Sequence, residues 1–231
     1  MAALHLLTHQ RLFPAHLGEP AAYIRTWEGS ILLVDMCEED DGDTDLEDAV
    51  AGEWVVRYID TDGAYAAGFH IWDVCEEYGD ATSPYQQLFD KRSSGLRNKL
   101  GSFTRYDDYG LGSDNVLVVD RIAILPEHRG HGYGLATLIG LIQQFQLGAG
   151  LIAIKPYPLQ FEGKDTDSYV KYRLAEFTAA PELAMQRLRR RYGALGFKPV
   201  RGTSLMVMPS YTKLPQIDDL VSWPKAARAK E

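Results

Sequence analysis

The sequence predicts a mixed α/β (α+β) domain built on one central, largely antiparallel sheet flanked by helices. Two observations carry this. Through the first half, apolar strand-like runs are joined by turns, and no long helical stripe interrupts them. Through the second half, apolar runs alternate with segments whose apolar residues recur at three- and four-residue spacing, in the order strand, helix, strand, helix. With 231 residues, 45% of them hydrophobic, the chain can bury a sizeable core.

The elements follow in order. Residues 29–37 (GSILLVDMC) read as a strand, and residues 53–60 with 64–75 read as a hairpin around the turn DTDG. Between them, residues 38–48 (EEDDGDTDLED) hold eight acidic residues in eleven and predict a self-repelling, solvated loop. The spacing of Asp41, Asp43 and Asp45 resembles the start of a calcium loop, but Leu46 stands where that loop needs Gly, and Gly52 where it needs Glu. Residues 76–115 are polar, dotted with aromatics and rich in turns, with short helices expected over 84–100; this predicts a flap or binding loop. Residues 116–125 (VLVVDRIAIL) form the continuous apolar run of a central strand covered on both faces. A helical stripe follows over 134–148, a proline-broken strand over 150–158, and a helix over 181–197 that opens on Pro181 and aligns Ala184, Leu188 and Tyr192. Residues 204–208 read as a last strand, and 209–231 as an appendage whose Trp223 points to docking on the body.

Bulk composition narrows the function. A net charge of −8 and a pI near 5.3 argue against a nucleic-acid binder, which needs clustered Lys and Arg to neutralise phosphates. No apolar run approaches membrane-spanning length, and the N-terminus lacks the basic start and long apolar core of a signal peptide. Cys37 and Cys75 show no metal-type spacing and read as reduced thiols. A soluble, cytoplasmic protein without membrane or nucleic-acid partners is expected.

Three glycines at alternate positions, Gly130, Gly132 and Gly134, separate the strand 116–125 from the helix 134–148. Neither a nucleotide-hydrolase loop nor a dinucleotide fingerprint fits. No Lys-Ser or Lys-Thr follows the glycines, and Leu135 stands where the fingerprint needs its third Gly. A glycine-rich turn into a helix N-terminus still suits an anion, because backbone amides can approach it and the helix dipole favours negative charge there. His128 and His131 form an H-x-x-H pair, but no further nearby ligand supports a metal site, and no metal is expected.

The run from Asp120 to Gly134, with Arg129, Gly132 and Gly134 spaced as Arg or Gln, two residues, Gly, one residue, Gly or Ala, resembles the central motif of the GNAT superfamily of N-acetyltransferases. Leu125-Pro126-Glu127 is similar to the turn that precedes it. Downstream, Tyr192-Gly193-Ala194-Leu195-Gly196-Phe197 is similar to the family's Y-x-x-L-G-F. The resemblance covers residues 116–208; the first 115 match loosely. It implies one GNAT-like domain over 1–231, in which the parallel strands 116–125 and 150–156 splay apart. It also implies acetyl-CoA, or another acyl-CoA, as co-substrate, no metal, a small-molecule or peptide amine as acceptor, and compatibility with a homodimer.

By that resemblance the diphosphate sits on Arg129, Gly130, His131, Gly132, Tyr133, Gly134 and Leu135, and the pantetheine arm pairs with the backbone of Ile122, Ala123 and Ile124. Asp120 is the candidate base, since burial in the strand would raise a carboxyl above its ordinary value, near 3.9; the alternatives are an ordinary carboxylate that pairs with a neighbouring strand or caps a loop, and a water relay that lets the base sit elsewhere. Tyr192 is the candidate acid for the departing thiolate, the alternative being simple packing of an aromatic on its helix. Arg121 is expected to face away from Asp120 in a regular strand. Arg187, Arg189, Arg190 and Arg191 form a solvated face from which one could meet a CoA phosphate. Trp54, Tyr65, Phe69, Trp72 and Tyr85 either line a substrate pocket or belong to the core. The acidic loop points to a cationic acceptor. Two departures fall on the acceptor side: helical material lies after the hairpin instead of between the first two strands, and residues 157–179 form a long insertion. The expected activity is N-acyl transfer by direct attack in a ternary complex. The alternative is a non-catalytic acyl-CoA-binding or regulatory module.

Overall fold

The structure, a computed structural model, describes residues 2–11, 18–35, 50–97, 100 and 113–221. The acidic loop 38–48, Cys37, Trp223 and residues 101–112 of the expected flap lie outside the described residues. Among the described residues, seven strands form one mixed sheet: β1 (Ala2–Arg11), β2 (Ile24–Asp35), β3 (Val50–Ile59), β4 (Val116–Ile124), β5 (Leu151–Ile154), β6 (Lys198–Pro199) and β7 (Met206–Pro209). Their spatial order is β1-β2-β3-β4-β5-β7-β6, and every neighbouring pair is antiparallel except β4 and β5.

The apolar run of β4 is explained by its position. Val116 and Val118 pack into the core on one face, Leu117 and Val119 into the core on the other. β5 is equally buried on both faces, as central strands between two helical layers must be. Helix α3 (Tyr133–Phe145) covers one face through Leu138, Ile139, Leu141 and Ile142. The short helices α1 (Thr61–Ala66) and α2 (Ile71–Glu77), with a 3-10 turn at Ser83–Leu88, cover the other.

The expected hairpin over 53–75 is corrected here. Residues 64–75 are helical, and the antiparallel partners of β3 are β2 and β4. Asp60 caps α1 by accepting from the Gly63 amide at 2.9 Å, Gly68 turns the chain at φ +83°, and His70 Nδ1 accepts from the Trp72 amide at 3.2 Å to start α2. Ile71, Val74 and Cys75 are buried at helical spacing, while Tyr65 is 73% exposed. The aromatics of this stretch suggested a strand, but its caps decided for helices. Trp54 and Tyr85 lie in the two opposite cores, so Trp54, Tyr65, Phe69, Trp72 and Tyr85 do not share one pocket. Strand β1 was not anticipated at all; it adds Leu4 and Leu6 to the α3 face.

Candidate functional site

The sheet opens where β4 and β5 part. They pair only from Val116 with Leu151 to Val119 with Ile154. Beyond that point β4 runs on to Ile124, while the other chain turns away through Lys155, Pro156 and Pro158. On its other side β4 carries a bulge: Val55 opposes Arg121 and Val56 opposes Val119, so Asp120 is the extra residue. A bulge bends a strand and increases its twist, which widens the gap to β5. The gap is a cavity of about 650 Å³, and every residue expected to bind or react lines it: Asp120, Ile122, Ala123, Ile124, the run Arg129 to Leu135, and Tyr192.

At one end of the cavity the glycine loop enters α3. Gly130 at φ +85° and Gly132 at φ +88° take the left-handed conformation that glycine adopts without strain. A Cβ on Gly132 would also lie 2.1 Å from the carbonyl oxygen of Leu220, in the C-terminal segment that packs Val221 against Tyr133 and Ala136. The first turn of α3 has neither a side-chain cap nor an acidic residue. Among the described residues, the amides of Gly130, His131, Gly132 and Gly134 have no acceptor, whereas that of Arg129 is bonded to Pro126 O at 3.3 Å. These unpartnered amides, with the positive end of a 13-residue helix, can receive an anion.

The Arg129 side chain is turned away from this cradle. Its Nε donates to Ile124 O at 3.1 Å, its Nη2 donates to Tyr172 O, its Nη1 lies 3.7 Å from Glu176, and the guanidinium stacks over Phe177 at 4.5 Å. It therefore clamps the insertion 157–179 to the glycine loop. That insertion contains a 3-10 turn at Leu159–Phe161, helix α4 (Asp167–Lys171) and a second turn at Leu174–Glu176. It packs Tyr172 and Leu174 on Ala123 and is further tied by the ion pairs Arg121–Glu162 and Lys171–Glu53. Burial alone would raise the Glu53 carboxyl, but Lys171 and Tyr172, with Arg121 nearby, hold it below its ordinary value.

Asp120 follows its alternative reading, that of a carboxylate pairing with a neighbouring strand: it is partly exposed and ion-paired with the largely buried Arg57 of β3. Arg121 pairs with Glu162 and not with Asp120, yet it does not face away as in a regular strand, because the bulge breaks strict alternation and both residues line the cavity. Tyr192 behaves as expected of its stripe, with a new consequence. On α5 (Pro181–Ala194) the line of Ala184, Leu188 and Tyr192 faces the cavity, flanked by Arg187 and Arg191. Burial pushes the Tyr192 phenol up to about 12, with Arg191 opposing.

Sequence reasoning missed Arg57, Lys155 and the placement of Tyr85. Tyr85 is fully buried on the α2 side, takes part in a hydrogen bond with the Lys155 backbone, and feels the charges of Asp120 and Arg57, so it backs the point where the strands part. Only a strand register reveals such neighbours. Compared with protein-family models and with curated proteins, the chain matches none.

Proposed function

We propose that the protein is an acyl-CoA-dependent N-acyltransferase with a GNAT-like fold, transferring an acetyl group to a primary amine. The observation that carries this reading is the single cavity that joins an unpartnered amide cradle, the open edge of β4 and Tyr192. The cradle suits the diphosphate. The backbone of Ile122 to Ile124, which pairs with no strand on the β5 side among the described residues, suits the amide-rich pantetheine arm as a strand-like partner.

The amine nitrogen attacks the thioester carbon, and the carbonyl oxygen becomes anionic in the tetrahedral intermediate. A β4 amide donating to that oxygen stabilises it. Collapse breaks the C–S bond and expels the thiolate, while the attacking nitrogen sheds one proton through water at Asp120, so that the products are the neutral amide and, once the thiolate takes up a proton from water, the free thiol. With Tyr192 near 12 and a thiol near 8.5, full proton transfer from the phenol is uphill by about 5 kcal/mol. Tyr192 therefore acts as a hydrogen-bond donor to the departing sulfur. Asp120, one oxygen engaged by Arg57, orients the amine or a bridging water.

The test is twofold. Acetyl-CoA at about a hundred times its Kd should stabilise the protein by about 2.7 kcal/mol. In a thiol-release assay over a panel of amines, Tyr192→Phe should lower kcat about a hundredfold with unchanged acetyl-CoA affinity. Binding without release for any amine supports the non-catalytic acyl-CoA module, which the Arg57–Asp120 pair favours; absence of binding rejects both.

A further inference from the structure

We propose that the insertion 157–179 is the acceptor wall, and that the acceptor is a monoamine with an apolar, aromatic-sized body. This rests on the acyl-transfer reading and goes beyond it by naming the substrate class. The two faces of the sheet contribute different chemistry to the cavity. Ile122 and Ile124 belong to the α3 face, where the glycine loop and Tyr192 lie. Ala123 packs on the other face, against Tyr172 and Leu174, and the Arg121–Glu162 pair closes the same side. A nucleophile reaching the thioester from the Asp120 side meets the insertion first.

What the insertion presents there is uncharged. Tyr157, Leu159, Gln160, Tyr172 and Leu174 line the cavity, while Lys164, Asp165, Asp167 and Arg173 are exposed to solvent and Glu162 and Lys171 are engaged by the sheet. The charged lining of the whole cavity is basic: Arg121, Arg129, Lys155, Arg187 and Arg191 stand against Asp120 alone. A polyamine or aminoglycoside finds no complementary charge in it. An apolar monoamine needs no more than Asp120 at its amino end, and the wall helps its chemistry: desolvation disfavours the ammonium and so delivers the neutral nucleophile. This lightens the demand on Asp120, whose carboxylate is already engaged by Arg57.

The experiment compares phenylethylamine, spermidine and tobramycin, by calorimetry and by thiol release with acetyl-CoA, in the full-length protein and in Tyr157→Ala and Leu159→Gln. Tyr157 is 39% exposed and Leu159 half-buried, so both variants should fold. Phenylethylamine is expected to exceed the polycations about tenfold in kcat/KM. Each variant should raise its KM about fivefold and leave that for acetyl-CoA unchanged. A polycation as the better acceptor, an unchanged phenylethylamine KM in the variants, or variants that instead discriminate octanoyl-CoA from acetyl-CoA would overturn the proposal. Phenylethylamine binding that the variants weaken, without CoA binding or thiol release, keeps the wall and overturns acyl transfer. CoA binding without phenylethylamine binding does the reverse.

Discussion

At the scale of single residues, Tyr192 and Gly132 show how local physics fixes a role. A phenol whose pKa rises from 10 in the unfolded chain to about 12 in the fold keeps its proton more tightly when folded. The stability this represents is fully present below pH 10 and is lost as pH climbs through 12, a loss of about 3 kcal/mol. Across that window urea melts of the wild type should lose about 3 kcal/mol relative to Tyr192→Phe, which has no phenol to ionise; parallel pH dependence of the two would show that the Tyr192 phenol titrates alike folded and unfolded. Gly132 meets two demands at once, a left-handed backbone and the close approach of Leu220 O. Gly132→Ala should cost about 2 kcal/mol from the backbone alone, and more if the C-terminal segment must lift. A urea midpoint unchanged by this substitution would contradict the packing of Leu220 on the loop.

At the scale of elements, legibility tracked how far each signal reached along the chain. The order β4, glycine loop, α3, β5 was readable because a strand buried on both faces needs an uninterrupted apolar run, and the helix that covers it needs a stripe. Helices α1 and α2 were not, since their identity depends on the caps Asp60 and His70, while Tyr65, Phe69 and Trp72 carry strong strand propensity. The loop residues and Tyr192 were singled out because their motifs resemble a known family's; Arg57 was not, because only the β3–β4 register, with its bulge at Asp120, brings the two side chains together. The insertion was visible only as excess length. Its attachment through Arg129 makes a prediction of its own. Arg129→Met removes the donors to Ile124 O and Tyr172 O and the charge beside Glu176, so trypsin should cut at Lys164, Lys171 and Arg173, all exposed, about ten times faster. Cutting elsewhere should not change. An unaltered digestion pattern would show that the ion pairs of Arg121 and Lys171 suffice to hold the segment.

At the scale of the molecule, charge is distributed against its own sum. The chain carries −8 overall, yet its cavity is lined by five basic side chains and one acidic. A polyanion is repelled by the whole at long range and attracted once inside, and both effects are screened by salt, the first more than the second because exposed charges are screened more than recessed ones. The glycine-loop amides and the end of α3 are fixed dipoles that act only at contact. Raising salt from about 0.05 M to about 0.5 M shortens the Debye length from about 14 Å to about 4 Å, which leaves contact attraction weakened and long-range repulsion abolished. Dissociation, governed by the contact terms, should quicken by more than the relief of repulsion quickens association. The Kd of CoA should accordingly rise about tenfold over that range, whereas that of an acetylated pantetheine fragment, which has no phosphates, should stay flat. Calorimetry on both ligands separates the cases. Equal salt dependence for the two would mean that phosphate does not meet the glycine loop, and a fragment that binds as tightly as CoA would assign the affinity to the open edge of β4 alone.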